Sequence, residues 1–308
     1  MTGEPEPDPA RRPPDLLFPV PQDAFPFAHR FADLPSGARL HYVDEGPAHA
    51  THTILFLHGN PTWSFLYRRI IADLRSTYRC VAVDYPGFGL SVAPPGYTYR
   101  PAEHSAAIEA FCLWLALGPM TLMVHDWGGP IGLGLAGRRP QWIDRLIIGN
   151  TWAWPVKGDI TKERFSGLMG GPIGRFFGIN FNAIVHLFLR AGTRRTLSAR
   201  ELEMYVRPFR SRSRRYPTVI FPREITAASA YMREVEAGLW RIADRPVLIV
   251  WGTADPVYHL KDLERFERLF PNHTTVRLEG ARHYIQEDAP ESIGMAIRQF
   301  LSASAQRA

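Results

Sequence analysis

What most constrains this chain is a repeated alternation of short β-branched apolar runs with longer amphipathic segments. The runs at 53–57, 80–83, 121–125, 145–148, 246–251 and 274–278 suit buried parallel strands. Residues 38–43 alternate like a half-exposed strand. Helical patterns lie at 63–74, 101–117 and 290–301. The alternation predicts a mostly parallel sheet with helices on both faces. It breaks after about Gly149. From 152 to 244 the pattern is helices and turns, punctuated at Gly170-Gly171-Pro172, Gly178, Pro208, Pro217 and Pro222. The run at Pro246 then resumes the sheet. The expected organisation is a core at 26–151 and 245–308, with a helical lid at 152–244. Such lids exclude water and shape pockets. Residues 1–25 are proline-rich without periodicity and read as an extended arm, on the surface or disordered.

A length of 308 residues fits one large domain or a core with an insertion. With 45% apolar and 21% charged residues, this is the composition of a soluble globular chain. The apolar runs fall far short of the ~20 residues that span a bilayer. The N-terminus lacks the apolar stretch of a signal peptide. The expected location is therefore cytoplasmic, with no membrane contact. The two cysteines, Cys80 and Cys112, exclude a disulfide framework and have no metal-ligand spacing. Much of the net charge of +6 comes from nine arginines between Arg190 and Arg215. No nucleic-acid motif accompanies them, so they read as a solvated helical face, although an acidic partner would also suit them.

Four short motifs carry the chemistry. Val124-His125-Asp126-Trp127-Gly128-Gly129 follows an apolar run and precedes a helix, the context of a nucleophile elbow. Asp126 stands where such elbows usually carry serine, and Val124 stands at the first glycine. By itself the hexapeptide equally describes a helix-capping aspartate. His58-Gly59-Asn60-Pro61-Thr62-Trp63-Ser64 sits where an oxyanion-hole N–H is supplied. Trp251-Gly252-Thr253-Ala254-Asp255-Pro256 ends the strand after the insertion and places Asp255 as an acid. His283, before the last helix, completes the order nucleophile, acid, histidine. Each motif has a plain structural alternative, a turn or a cap. Their order on the expected elements argues for a catalytic set.

With these residues in hand, the chain resembles the haloalkane dehalogenases of the α/β-hydrolase fold. The resemblance covers roughly 25–302. It rests on the motifs above, together with Asp84-Tyr85-Pro86-Gly87-Phe88-Gly89-Leu90-Ser91, Phe221-Pro222-Arg223-Glu224 and Ala281-Arg282-His283. Asn60 with Asp126-Trp127 is its most specific part. Some members carry a glutamate acid before the lid. This chain has Asn150 there, so it resembles the branch with an Asp-His-Asp triad and an Asn–Trp halide clamp.

The resemblance implies Asp126 as nucleophile, His283 as general base and Asp255 as the acid that orients it. Asn60 and Trp127 would hold the halide through their side chains and the oxyanion through their backbone N–H groups. A carboxylate suits displacement at a tetrahedral carbon, and donors aimed at the departing charge assist it. The implied reaction turns a haloalkane and water into an alcohol, a halide and a proton, through an alkyl ester on Asp126. It needs no cofactor or metal. Phe221, Pro222 and Trp154 are expected at the pocket, and Trp152, Phe176, Phe177, Phe181 and Phe188 are further lining candidates. Two alternatives stay open. One is epoxide hydrolysis assisted by lid tyrosines, with Tyr205, Tyr216 and Tyr231 available. The other is a binding protein on a hydrolase scaffold. Chain-length preference, natural substrate and oligomeric state are not legible.

Overall fold

The computed structural model describes residues 16–305, so positions 1–15 of the expected arm lie outside the described residues. Short runs become the strands, and in the middle of the sheet most of their side chains are buried, because both faces of a parallel sheet are covered. They are β1 Arg30–Asp33, β2 Arg39–Glu45, β3 Thr53–Leu57, β4 Arg79–Val83, β5 Met120–His125, β6 Ile143–Gly149, β7 Val247–Gly252 and β8 His273–Leu278. They form one sheet in the order β1-β2-β4-β3-β5-β6-β7-β8. β1–β2 and β2–β4 pair antiparallel. Every pairing from β4 across to β8 is parallel.

The helices of the core portion are α1 Arg68–Leu74, α2 Pro101–Trp114, α3 Gly128–Arg138, α10 Leu260–Leu269, α11 Ile285–Asp288 and α12 Pro290–Ala305. Between β6 and β7 lie α4 Ile160–Gly170, α5 Pro172–Phe181, α6 Ala183–Gly192, α7 Ala199–Val206, α8 Arg212–Ala227 and α9 Ser229–Gly238. No strand interrupts them.

Several local expectations change. β1 was not anticipated, since four residues are too few to show a period. The helix expected over 63–74 is split into a tight turn at Ser64–Tyr67 followed by α1. There the Ser64 N–H is drawn to the buried Asp84 Oδ1 at 2.7 Å. Asp84 also receives Leu90 N–H and His41 Nδ1, so this motif aspartate ties two loops to β2. The arm residues that are described end in the core: Phe25 is fully buried and Phe18 meets Trp63 edge-on at 5.8 Å.

Pro217 and Pro222 do not divide the insertion, nor does Gly178. Both prolines lie inside α8, and Gly178 lies inside α5. A proline in a helix removes one i→i−4 hydrogen bond and frees the carbonyl four residues back. For Pro222 that carbonyl is Thr218 O, and its new partner belongs to the site.

Candidate active site

Asp126 follows β5 directly and precedes α3 by one residue. Its φ of 51° is the left-handed conformation that a sharp strand-to-helix turn imposes. The turn is held from three sides. Asp126 N–H donates to Asn150 O at 3.1 Å, and its carbonyl accepts from Thr151 Oγ1 and from Gly129 N–H. Glycine is needed opposite, because a Cβ on Gly59 would lie 2.1 Å from Asp126 Oδ1. That close approach brings the Asn60 N–H to Oδ1 at 2.7 Å.

The other oxygen, Oδ2, faces His283 Nε2 at 3.6 Å. His283 Nδ1 contacts Asp255 Oδ2 at 2.9 Å. Asp255 hangs from the loop after β7, and its Oδ1 accepts the N–H groups of Val257 and Tyr258. Asp126, His283 and Asp255 are thus brought together in a line, from three loops at one end of the sheet.

The environment divides these groups electrostatically. Burial pushes Asp126 above the usual carboxylate range, although His283 and the N–H groups of Trp127 and Asn60 pull it down. For Asp255, burial pulls the same way, but the His283 imidazole and the loop N–H groups outweigh it and hold the carboxyl below its usual range. Burial disfavours charge on His283 too, yet Asp255 and then Asp126 overcome it and raise its pKa.

A cavity of about 560 Å³, counting its opening, ends on Asp126. Asn60, Trp127, His283 and Pro222 line it with Phe165 from α4 and Phe188 from α6. Exposed Ala191 marks its mouth. Asn60 Nδ2 donates to Thr218 O at 3.1 Å, the carbonyl that Pro222 leaves free, so the proline anchors the amide beside the nucleophile. The indole of Trp127 stacks on Phe221 at 4.8 Å and meets Trp152 edge-on at 4.7 Å.

Two of the pocket candidates move. Phe221 lies behind Trp127 instead of lining the cavity. Trp154 packs on Phe266 and under the Arg265 guanidinium. Of the further aromatics, Phe188 lines the cavity and Trp152 supports Trp127. Phe176, Phe177 and Phe181 face outward, 57%, 49% and 62% exposed.

Five residues near the site escaped the sequence reading. Asn150 Nδ2 donates to Asp255 Oδ2 at 2.9 Å, and its Oδ1 accepts Gly252 N–H at 2.7 Å. The residue that cannot be the acid therefore braces it. His125 Nε2 contacts the His283 carbonyl at 2.8 Å, and burial holds this imidazole neutral, with a pKa of about 3. Tyr284 Oη donates to Asn60 O, Tyr258 Oη donates to Asp126 Oδ2, and Thr218 supplies the carbonyl already described. Asn150 stood at the alternative acid position, His125 and Tyr284 adjoin Asp126 and His283, and Tyr258 lies three residues past the acid; Thr218 had no such signal.

A mostly parallel sheet, an aspartate on its elbow and a histidine–acid pair at the same end define a hydrolase-type scaffold with a carboxylate where the nucleophile sits. The chain belongs to the alpha/beta hydrolase fold family, which matches residues 52–290. Within it, the chain is similar to haloalkane dehalogenase 2 of Mycobacterium tuberculosis, 39% identical over 91% of this chain and 96% of that protein. It is 32% identical to the cis-3-alkyl-4-alkyloxetan-2-one decarboxylase of Xanthomonas campestris pv. campestris, over 90% of this chain and 97% of that one. Among solved structures, the haloalkane dehalogenase DbeA from Bradyrhizobium elkani USDA94 superposes with a TM-score of 0.83 at 25% identity, covering 92% of this chain and all of that one. The family resemblance and the fold read from the motifs are borne out.

Proposed function

We propose that this chain is a haloalkane dehalogenase that uses Asp126 as nucleophile, His283 as base and Asp255 as the acid behind it. The observation that carries the reading is the split of the Asp126 carboxylate. Oδ1 is held by the Asn60 N–H, while Oδ2 looks into an apolar cavity with His283 beside it. Oδ2 attacks the halogen-bearing carbon, and the carbon–halogen electron pair leaves with the halide. The Trp127 indole N–H and the second amide N–H of Asn60 are the donors assigned to that anion. His283 then takes a proton from water, and the oxygen adds to the carboxyl carbon. Backbone N–H groups of Asn60 and Trp127 hold the resulting oxyanion on Oδ1. Collapse breaks the bond from the carboxyl carbon to Oδ2 and releases the alcohol. Protein groups, substrate and water balance every step.

The test separates the two stages. Ionised Asp126 needs no base to attack, whereas ester hydrolysis does. His283→Phe should release about one halide per enzyme and stop, with the alkyl mass mapped to Asp126. A folded variant that releases no halide, or a label on another residue, overturns the assignment.

The relatives named for oxetan-2-one decarboxylation support a second reading. The cavity joins the polar groups of Asn60, Asp126 and His283 to apolar side chains that include Phe165, Phe188, Pro222 and Ile225, a lining that suits two alkyl arms as well as one. Comparing CO2 release from a cis-3,4-dialkyl oxetan-2-one with halide release from a bromoalkane decides between them. The tyrosines expected to serve an epoxide hydrolase do not line this cavity. Tyr205 contacts Glu287, Tyr231 Oη donates to Pro130 O, and Tyr216 is 40% exposed. The substrate reading stays with small apolar molecules. Among the described residues no helix is long and apolar enough to cross a membrane. A cytoplasmic location fits the free, buried Cys80 and Cys112.

A further inference from the structure

Tyr258 presents a hydroxyl to the reacting atom itself. Its Oη donates to Asp126 Oδ2 at 3.2 Å, the oxygen that faces the cavity and not the one held by Asn60. The side chain is fixed for this. Its backbone N–H returns to Asp255 Oδ1 at 3.1 Å, so the loop that carries the acid also sets the tyrosine. Its ring stacks on Trp152 at 5.3 Å and lies 5.5 Å from the His283 ring. It is 3% exposed, and burial, then the Asp126 and Asp255 carboxylates, push its phenol well above the usual tyrosine range, towards the protonated form.

Resting on the dehalogenase reading, we propose that Tyr258 is a further catalytic residue, the hydrogen-bond donor that stabilises the departing alcohol oxygen during ester hydrolysis. That oxygen is Oδ2. When the tetrahedral intermediate collapses, the electron pair of the bond between the carboxyl carbon and Oδ2 stays on Oδ2 as alkoxide charge. Tyr258 keeps its own proton and donates a hydrogen bond to this charge. The proton that makes the alcohol comes from His283 Nε2, 3.6 Å from the same oxygen, which took it from water. The water's remaining proton stays on the regenerated carboxyl and leaves to solvent as Asp126 ionises.

The same contact acts oppositely in the first stage. A donor on Oδ2 steadies the carboxylate and weakens it as a nucleophile, so the hydroxyl assists hydrolysis and restrains alkylation. A residue that only supported the fold would not move the two stages in opposite directions.

Tyr258→Phe keeps the ring and its stacking. In rapid-quench experiments with 1-bromobutane, its first halide should appear as fast as in the wild type or faster. Its ester hydrolysis should slow by about 10²-fold, the loss for one donor to a developing oxyanion. The alkyl ester on Asp126 should then accumulate in the steady state. With 1,2-dibromoethane, whose product alcohol is more acidic and needs less help, the slowing should be smaller. Replacing Tyr258 by 3-fluorotyrosine, a stronger donor with the same ring, should speed hydrolysis. Hydrolysis at the wild-type rate in Tyr258→Phe, equal slowing of both stages, or slower hydrolysis with 3-fluorotyrosine would each overturn the proposal while leaving the dehalogenase reading intact. A wild-type protein that releases no halide would overturn both.

Discussion

At the scale of single residues, the site works by giving chemically similar groups different surroundings. Asp126 and Asp255 are both buried aspartates on loops at the same end of the sheet. Burial dominates for Asp126 and raises it, whereas His283 and two backbone N–H groups overcome burial for Asp255 and keep it ionised. This gives a pH dependence of definite sign. Alkylation needs ionised Asp126, so it should fail on the acid side at a pH above that of an ordinary aspartate near ~3.9. Hydrolysis needs neutral His283, whose folded pKa is raised, so it should increase as pH rises through that pKa. Alkylation removes the Asp126 charge, one of the two that raise His283. The inflection for ester hydrolysis should therefore lie below the His283 titration of the free enzyme followed by NMR, and an inflection above it would contradict the assigned roles. Asp255→Asn should lower the free-enzyme titration and slow hydrolysis severely, by about 10⁴-fold in a comparable triad. Asn150→Ala, which removes one donor from Asp255, should slow it less.

At the scale of elements, α8 shows how a residue that ought to end a helix can serve a site. Pro222 lines the cavity and also leaves Thr218 O without its helical donor, and Asn60 Nδ2 takes that place. Pro222→Ala would restore an N–H aimed at Thr218 O, which would then compete with the amide. The helix should become more stable, since proline inside a helix costs about 3 kcal/mol against alanine. Halide binding, followed by quenching of tryptophan fluorescence, should nevertheless weaken because Asn60 loses its anchor. Unchanged halide affinity would show that Thr218 O is not what positions Asn60. The loop at 255–258 makes a similar point. Asp255 and Tyr258 reach different atoms of the site because the Asp255 carboxylate accepts the loop's own N–H groups.

At the scale of the molecule, the helices between β6 and β7 must be held over a core that folds around a different part of the chain. Two buried ionic clusters do this. Lys162 of α4 contacts Asp262 of α10 at 2.9 Å, with side chains 2% and 4% exposed. Glu287 of α11, fully buried, contacts Arg68 of α1 and Tyr205 of α7, and Arg195 beyond α6. Removing one partner of such a pair leaves an uncompensated buried charge and typically costs about 3–5 kcal/mol. Lys162→Ala should lower the urea-unfolding free energy by about that amount, and Lys162→Ala with Asp262→Ala should recover part of it. Additive losses in the double variant would mean the pair is not coupled. Outside these clusters the insertion carries an apolar face of Ile173, Phe176, Phe177 and Phe181 that points away from the cavity.

The sequence determined what is local. Strands β3 to β8 came from β-branched runs a few residues long, and the elbow came from an aspartate set between such a run and two glycines. The order Asp126, Asp255, His283 came from the order of those strands. Each is a property of neighbouring residues, so a linear reading suffices. Tertiary structure decided what depends on how distant elements turn toward one another. Phe188 faces the cavity while Phe181, seven residues earlier at the end of the preceding helix, faces outward, because the rotation of α5 and α6 is set by packing against other helices. Asn150 was visible as a residue unable to be an acid, but its bond to Asp255, 105 positions away, required β6 and β7 to lie side by side. Tyr258 meets Asp126 across 132 positions for the same reason: the parallel sheet gathers the ends of its strands at one edge, and only there do their loops become neighbours.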